Sequence, residues 1–272
     1  MGATRLILLA ISIGLAGIAP RPAAGETDAA LAAAVADPQR TPSFAARDSA
    51  RHPLAELAFF GIKPTDSVVE IWPFSGYWTE ILAPYLAPKG RYAVAVQKER
   101  ETGGLAGANA KLKAKFAADP QKYGKVSIVT FDKDSYDIAP PGSVDLIVTF
   151  RNLHNWMKAG YADAALAAFY KALKPGGTLG LEDHRSHLDK EQDPQAASGY
   201  IRQDYAIELA RKAGFEFVAG SEVNANPKDT TDWPKGVWTL PPSYALGDQD
   251  KATYAAIGEA DNFVLKFRKP LK

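Results

Sequence analysis

The 272-residue chain has no cysteine. That excludes disulfides, thiolate metal sites, a lipidated cysteine and a cysteine nucleophile. It has almost no net charge: 32 Lys and Arg face 31 Asp and Glu, for a formal +1. This argues against a nucleic-acid binder held by bulk charge, although a local basic patch stays compatible with it. There is no internal repeat, no Gly-x-Ser-x-Gly elbow and no Gly-x4-Gly-Lys phosphate loop. A membrane-length apolar run is missing too. Leu6 to Ala19 is apolar but short for a span, and Pro20 and Pro22 follow it.

That short run has the form of an export signal. Arg5 precedes it, and Ala23-Ala24-Gly25 offers small residues for cleavage before Glu26. Residues 1–25 read as a signal peptide, so the mature protein is expected to be periplasmic or secreted, without stable membrane insertion. Cleavage removes Arg5 and Arg21 and no acid, taking the formal charge from +1 to −1. Export without cysteine suits a bacterial periplasmic protein that needs no oxidative folding.

What is present is an alternating pattern. Residues 26–45, Ala-rich with Pro38 and Pro42, read as a loosely attached arm before a domain at 46–272. Ala46 to Phe60 predicts a helix interrupted near His52-Pro53, where proline suits an early helical position, and Gly61 ends it. Strands are expected at Ser67–Ile71, Tyr92–Val96, Val126–Phe131, Val144–Phe150, Thr178–Leu181, Phe215–Val218 and Phe263–Arg268. Between them fall helices at Thr79–Leu86, Leu105–Ala118, Ala162–Leu173 and Ile201–Ala213. Strands separated by helices of this size predict an α/β, Rossmann-like three-layer sandwich around a mostly parallel sheet. Residues 224–260, rich in Pro, Trp and Tyr, read as an irregular flap.

The phrases Arg51-His52-Pro53 with Leu57-Ala58-Phe59-Phe60-Gly61, Val69-Glu70-Ile71-Trp72-Pro73, Thr79-Glu80-Ile81-Leu82-Ala83-Pro84, Thr149-Phe150-Arg151-Asn152-Leu153-His154-Asn155-Trp156, Leu173-Lys174-Pro175-Gly176-Gly177, Glu182-Asp183-His184-Arg185 and Asp261-Asn262-Phe263-Val264-Leu265-Lys266-Phe267 occur in a telling order. In them the chain resembles class I S-adenosylmethionine-dependent methyltransferases, and most of all an exported bacterial branch of methyltransferase-like proteins. The resemblance implies a seven-stranded sheet whose seventh strand is antiparallel and inserted between the fifth and sixth. It also implies an S-adenosylmethionine site over the carboxyl ends of the first strands.

The cofactor loop departs from the family pattern of an acid followed by glycines at alternate positions. Glu70 matches the acid and Gly76 the last glycine, but Trp72 and Phe74 hold the other two glycine positions. Glycine lets backbone turn sharply and touch a ligand. Pro73 is expected to push Trp72 towards extended geometry and removes one N–H donor. Either the loop still holds the cofactor, with Trp72, Tyr77 or Trp78 near the sulfonium, or the rings fill the pocket. Gln97 stands nearest the expected ribose contact and Asp132 at the expected adenine contact, with Arg151 and Asn152 completing the cofactor set.

Methyl transfer requires alignment and often proton removal. His154 and Asn155 after the fourth strand, and Asp183 and His184 after the fifth, are the candidates for catalysis. Arg51, His52, Arg185 and Arg202 are candidates for holding a small-molecule substrate. A metal site on His154, Asp183, His184 and His187 is the rival reading. The leading expectation is methylation of a small molecule. The alternatives are a non-methylating ligand-binding protein on the same frame, or a metal-dependent lyase or hydrolase.

Overall fold

The structure is a computed structural model that describes residues 28–99 and 107–272. The signal segment expected at 1–25 and the helix start expected at Leu105 lie outside the described residues. The N-terminal elements are α1 (Ala29–Val35), α2 (Pro42–Ala45), α3 (Asp48–Arg51) and α4 (Pro53–Phe60). Then follow β1 (Ser67–Ile71), α5 (Thr79–Leu86), β2 (Arg91–Val96), α6 (Ala108–Ala118), α7 (Pro120–Tyr123), β3 (Val126–Thr130) and β4 (Val144–Phe150). The second half comprises α8 (Leu153–Lys158), α9 (Ala162–Ala172), β5 (Leu173–Ser186), β6 (Ile201–Arg202), α10 (Gln203–Lys212), β7 (Glu216–Ser221), β8 (Pro234–Val237), α11 (Lys251–Ile257) and β9 (Asn262–Arg268).

The sheet runs β3-β2-β1-β4-β5-β9-β7. β1 to β5 are parallel, and β9 is antiparallel to both neighbours. The expected inserted antiparallel last strand is therefore present. Two-residue β6 pairs with the end of β5 and makes an eighth strand. It occupies Ile201–Arg202, so the helix expected from Ile201 begins at Gln203.

Period-two alternation sends neighbouring strand residues to opposite faces. Val69, Ile71, Ile147 and Leu179 meet Trp156, Leu166 and Phe169 on one side. Val68, Val94, Leu146 and Val148 meet Leu57, Phe60, Ile81 and Leu82 on the other. Both faces are covered, as a parallel sheet requires. Gly180 of β5 marks one tight approach: a Cβ there would lie 2.7 Å from the Phe60 ring.

One expectation is corrected. The arm is packed, not loose. Asp28 caps α1 at 2.9 and 3.1 Å and accepts from Tyr85 at 2.6 Å, Leu31 is buried, and Thr41 N–H donates to Glu80 at 2.8 Å. The i, i+3 pair Leu31 and Ala34 gives α1 an apolar stripe to bury. The 224–260 flap has its own small core of Val237, Leu240, Tyr254 and Ala260 with Tyr200. Buried Asp229 organises it, accepting from Tyr200, Trp233 Nε1 and the backbone N–H groups of Thr231 and Asp261 at 2.7–3.0 Å.

Candidate active site

The rebuilt loop keeps glycine geometry without glycine side chains. Trp72, Phe74 and Gly76 have φ of 50°, 49° and 86°, alternating in the left-handed region that favours glycine. The extended Trp72 expected before Pro73 is thus corrected. Its indole explains why: it is buried, donates from Nε1 to Phe131 O at 2.9 Å, and meets Trp156 edge-on with centroids 5.8 Å apart. Burying and satisfying an indole outweighs a local backbone preference.

The loop is a partition. On one side lies a cavity of about 450 Å³, lined by Glu70, Trp72, Tyr77, Trp78 and Phe150, by Arg47, Arg51 and Arg151, by His154, Asn155, His184 and Glu259, and by Trp238 and its neighbours in the flap. On the other side, Trp72, Pro73 and Phe74 close over Gln97, Asn109 and Leu112 around only about 20 Å³, room for about one water. Gln97 faces that small space, not the cavity. Asp132 borders neither, and its carboxylate is spent on the backbone N–H groups of Lys98 and Lys133 at 3.1 and 2.8 Å. Gln97 is thus cut off from the cavity by the loop and Asp132 is committed to backbone, so these two residues as arranged do not fit the adenosyl half of S-adenosylmethionine.

Other expected cofactor contacts are also engaged elsewhere. The Glu70 carboxyl, held up to about pH 7 by burial, accepts from Thr79 at 2.8 Å and from the Tyr92 hydroxyl. Asn152 is buried below the cavity, donating to Ile71 O at 2.9 Å and Thr149 at 3.1 Å. Gly76 sits against Leu112 and Thr79.

The catalytic candidates do converge. His154 opens α8, a short helix where a loop was expected, and β5 carries Asp183 and His184. Buried Asp183 accepts from His154 Nδ1 at 2.8 Å and from His154 N–H at 3.0 Å. Burial alone would raise the Asp183 pKa, but the His154 ring, the His184 ring and the His154 N–H together offset it, so the carboxylate stays below its ordinary range. His154 therefore presents Nε2 to the cavity. The His184 ring lies 5.3 Å away, its Nδ1 donating to Asn262 Oδ1 at 2.7 Å. Burial pushes its pKa down to about 3, which keeps it neutral.

Arg51 and Arg151 face the same cavity, and Arg151 has φ 60°. The remaining substrate candidates do not. His52 turns away to Asn224 at 3.1 Å, Arg185 is clamped by Asp261 at 2.8 and 2.9 Å, and Arg202 pairs with Asp204 on the surface. Glu259, Arg47 and Trp238 were missed. The proline-aromatic flap was the signal for Trp238; a single acid and a single arginine in polar stretches gave none.

A metal would draw on His154, Asp183 and His184, whose potential ligand atoms lie within 4.8 Å of one another. His187 is exposed and outside the group. Asp183 spends both oxygens on His154 and on the His184 N–H at 2.7 Å. The set then offers two imidazoles, fewer than the three protein ligands of a catalytic zinc.

No protein-family model matches the sequence, and no curated protein matches it. Solved structures do share its fold. A SAM-dependent methyltransferase from Aquifex aeolicus is 15% identical over 84% of this chain and 93% of its own, with a TM-score of 0.55. The cyclase SpnF is 16% identical over 82% and 81%, with a TM-score of 0.56. Phosphoethanolamine N-methyltransferase 2 of Haemonchus contortus, solved with S-adenosyl-L-methionine, is 16% identical over 81% of this chain and 52% of its own, with a TM-score of 0.55. The chain thus has the class I methyltransferase fold; at such identity the likeness speaks for fold alone.

Proposed function

We propose that the protein is a non-methylating enzyme on the methyltransferase frame, exported from the cytoplasm, that performs acid–base chemistry on a small molecule. One observation carries the reading: the Trp72-Pro73-Phe74 turn stands between Gln97, the expected ribose contact, and the cavity that holds the His154–Asp183 pair. His154 Nε2 takes or returns a proton, Asp183 fixes the ring's orientation and stabilises its charged form, and Arg51 and Arg151 stabilise negative charge developing on the substrate. Asn155 and neutral His184 supply hydrogen bonds on the same wall. That a cyclase shares the frame supports the idea that the frame is not tied to methyl transfer.

The second reading is S-adenosylmethionine-dependent methylation, favoured by the methyltransferases among the structural neighbours and by Glu70 and Gly76 in the loop. Calorimetry separates the two. No heat of binding is expected with S-adenosylmethionine or S-adenosylhomocysteine at millimolar concentration; saturable binding would restore the methyltransferase. The acid–base role is tested by proton NMR in D2O with a panel of small carbonyl acids. Exchange of C–H positions is expected in wild type and absent in His154→Gln; equal exchange in both would remove His154 from the chemistry.

A further inference from the structure

The arginines of the cavity are short of partners. Arg47, Arg51 and Arg151 share one cavity carboxylate, Glu259. Arg47 takes most of it, with Nε and Nη2 bonded at 2.6 and 2.7 Å. Arg51 has a single 3.4 Å contact through Nε and lies over the Tyr77 ring at 4.4 Å; its two terminal nitrogens donate no hydrogen bond among the described residues. Arg151 Nη1 is enclosed without a hydrogen bond, its nearest acids being Glu182 at 3.7 Å and Glu259 at 3.9 Å. Glu182, Glu259 and Glu56 together outweigh the burial of the Arg151 charge and hold its pKa above the ordinary value, but none of them gives Nη1 a hydrogen bond. Glu182 shares the Asn224 amide with Glu56, at 3.1 and 2.7 Å, and burial raises both carboxyls above their ordinary range.

A buried guanidinium without an acceptor is costly, and a fork of N–H donors matches a planar oxyanion. Aromatic rings form part of the same wall: Trp78 stacks on Phe150 at 3.9 Å, and Trp238 faces His154. The geometry points to a carboxylate subsite between Arg51 and Arg151 that takes the acid group of a small aryl or similarly apolar carboxylic acid, its body lying against Trp78, Phe150 and Trp238. Burial, with Arg151 and Arg47 alongside, holds the Arg51 pKa down to about 9, consistent with a missing counter-anion. The assignment of this acid as substrate rests on the acid–base reading above; the binding itself does not.

The probes are benzoate, phenylacetate, 2-naphthoate, benzyl alcohol and S-adenosylhomocysteine, titrated into the full chain by calorimetry and tryptophan fluorescence. At least one aryl carboxylate is expected to bind saturably, and benzyl alcohol at least about tenfold more weakly, the loss of a charge-assisted contact. Arg51→Met should weaken carboxylate binding by about tenfold or more, whereas Arg202→Gln, on the surface, should not. Absence of binding by all three carboxylates, equal binding by folded Arg51→Met, or S-adenosylhomocysteine binding that Arg51→Met abolishes would each overturn the subsite. His154→Gln should retain carboxylate binding. Binding that persists while wild type exchanges no proton would sink only the acid–base reading.

Discussion

Phe74 offers a test whose sign, not only its size, follows from the backbone. The residue has φ 49° and a side chain 42% exposed, touching Trp72 with ring centroids 6.3 Å apart. Removing the ring loses roughly 1–1.5 kcal/mol, since full burial of such a side chain is worth about 1.5–3 kcal/mol. Phe74→Ala and Phe74→Gly share that loss. They differ in backbone: a Cβ in the left-handed region costs about 1–2 kcal/mol, whereas glycine's greater freedom when unfolded costs about 0.5–1 kcal/mol. Phe74→Gly should therefore be the more stable of the two by about 0.5–1 kcal/mol, the reverse of the usual order. Urea unfolding of both variants with a common m-value reads the difference. If Phe74→Ala equals or exceeds Phe74→Gly, position 74 is not held left-handed and the description of the loop as a glycine-type turn built from aromatic residues fails. Trp72→Gly extends the test. It should cost about 2–4 kcal/mol, a large core deletion partly offset by relief of the same strain, and it should be the variant in which S-adenosylhomocysteine binding first becomes measurable.

Glu70, with its pKa held at about 7 by burial, binds a proton in the fold that the unfolded chain releases near 4.5. Stability therefore falls as pH rises from about 4.5 to 7, by about 3 kcal/mol, and Glu70→Gln should lose this slope; parallel urea midpoints for the two proteins from pH 5 to 8 would contradict it. Asp229→Ala strands the donors of Tyr200, Trp233 and two backbone amides. It should cost about 3 kcal/mol or more and open 224–260 to protease; an uncut flap would show that Asp229 does not organise it. Gly180→Ala drives a methyl into the Phe60 ring and should cost about 1–3 kcal/mol, read as a shifted urea midpoint; an unchanged midpoint would mean that α4 can move off the sheet. Arg51→Met should leave the thermal midpoint unchanged or raised while weakening anion binding, because the fold disfavours that charge; a clear fall would make Arg51 a structural residue.

The strands were legible because they are short apolar runs bounded by turn residues, whereas the pairing of the last run between β5 and β7 followed from the family resemblance and not from the residues themselves. The gathering of His154, Asp183 and His184 was legible for a related reason: parallel strands deliver their following loops to one edge of the sheet. Trp72 was misread because its neighbour Pro73 is a local influence, whereas its indole is fixed by Phe131, Trp156 and a hydrogen bond 59 residues away. Glu259 was illegible for the complementary reason. Its importance lies in three arginines from α3, from the residue before it and from the end of β4, which only the fold assembles.

The distribution of unfavourable features bears on whether the loop is a relic. A cofactor loop that merely drifts once its ligand is lost has no reason to keep left-handed backbone under large side chains, since a chain free to relax would leave that region. Here Trp72, Phe74 and Arg151, at 50°, 49° and 60°, all line one cavity, and each sits where a Cβ costs about 1–2 kcal/mol. On the same wall Arg51 carries a disfavoured charge and Arg151 an Nη1 without a hydrogen bond. Five further non-glycine residues with positive φ among the described ones, His52, Ala196, Thr231, Tyr244 and Asp250, lie outside the cavity lining, so the local signal is the pair Trp72 and Phe74 within one three-residue turn. The loop that cuts Gln97 off also forms a wall of the cavity beside the His154–Asp183 pair. A loop rebuilt to bound a new cavity accounts for left-handed backbone kept under two large rings at Trp72 and Phe74.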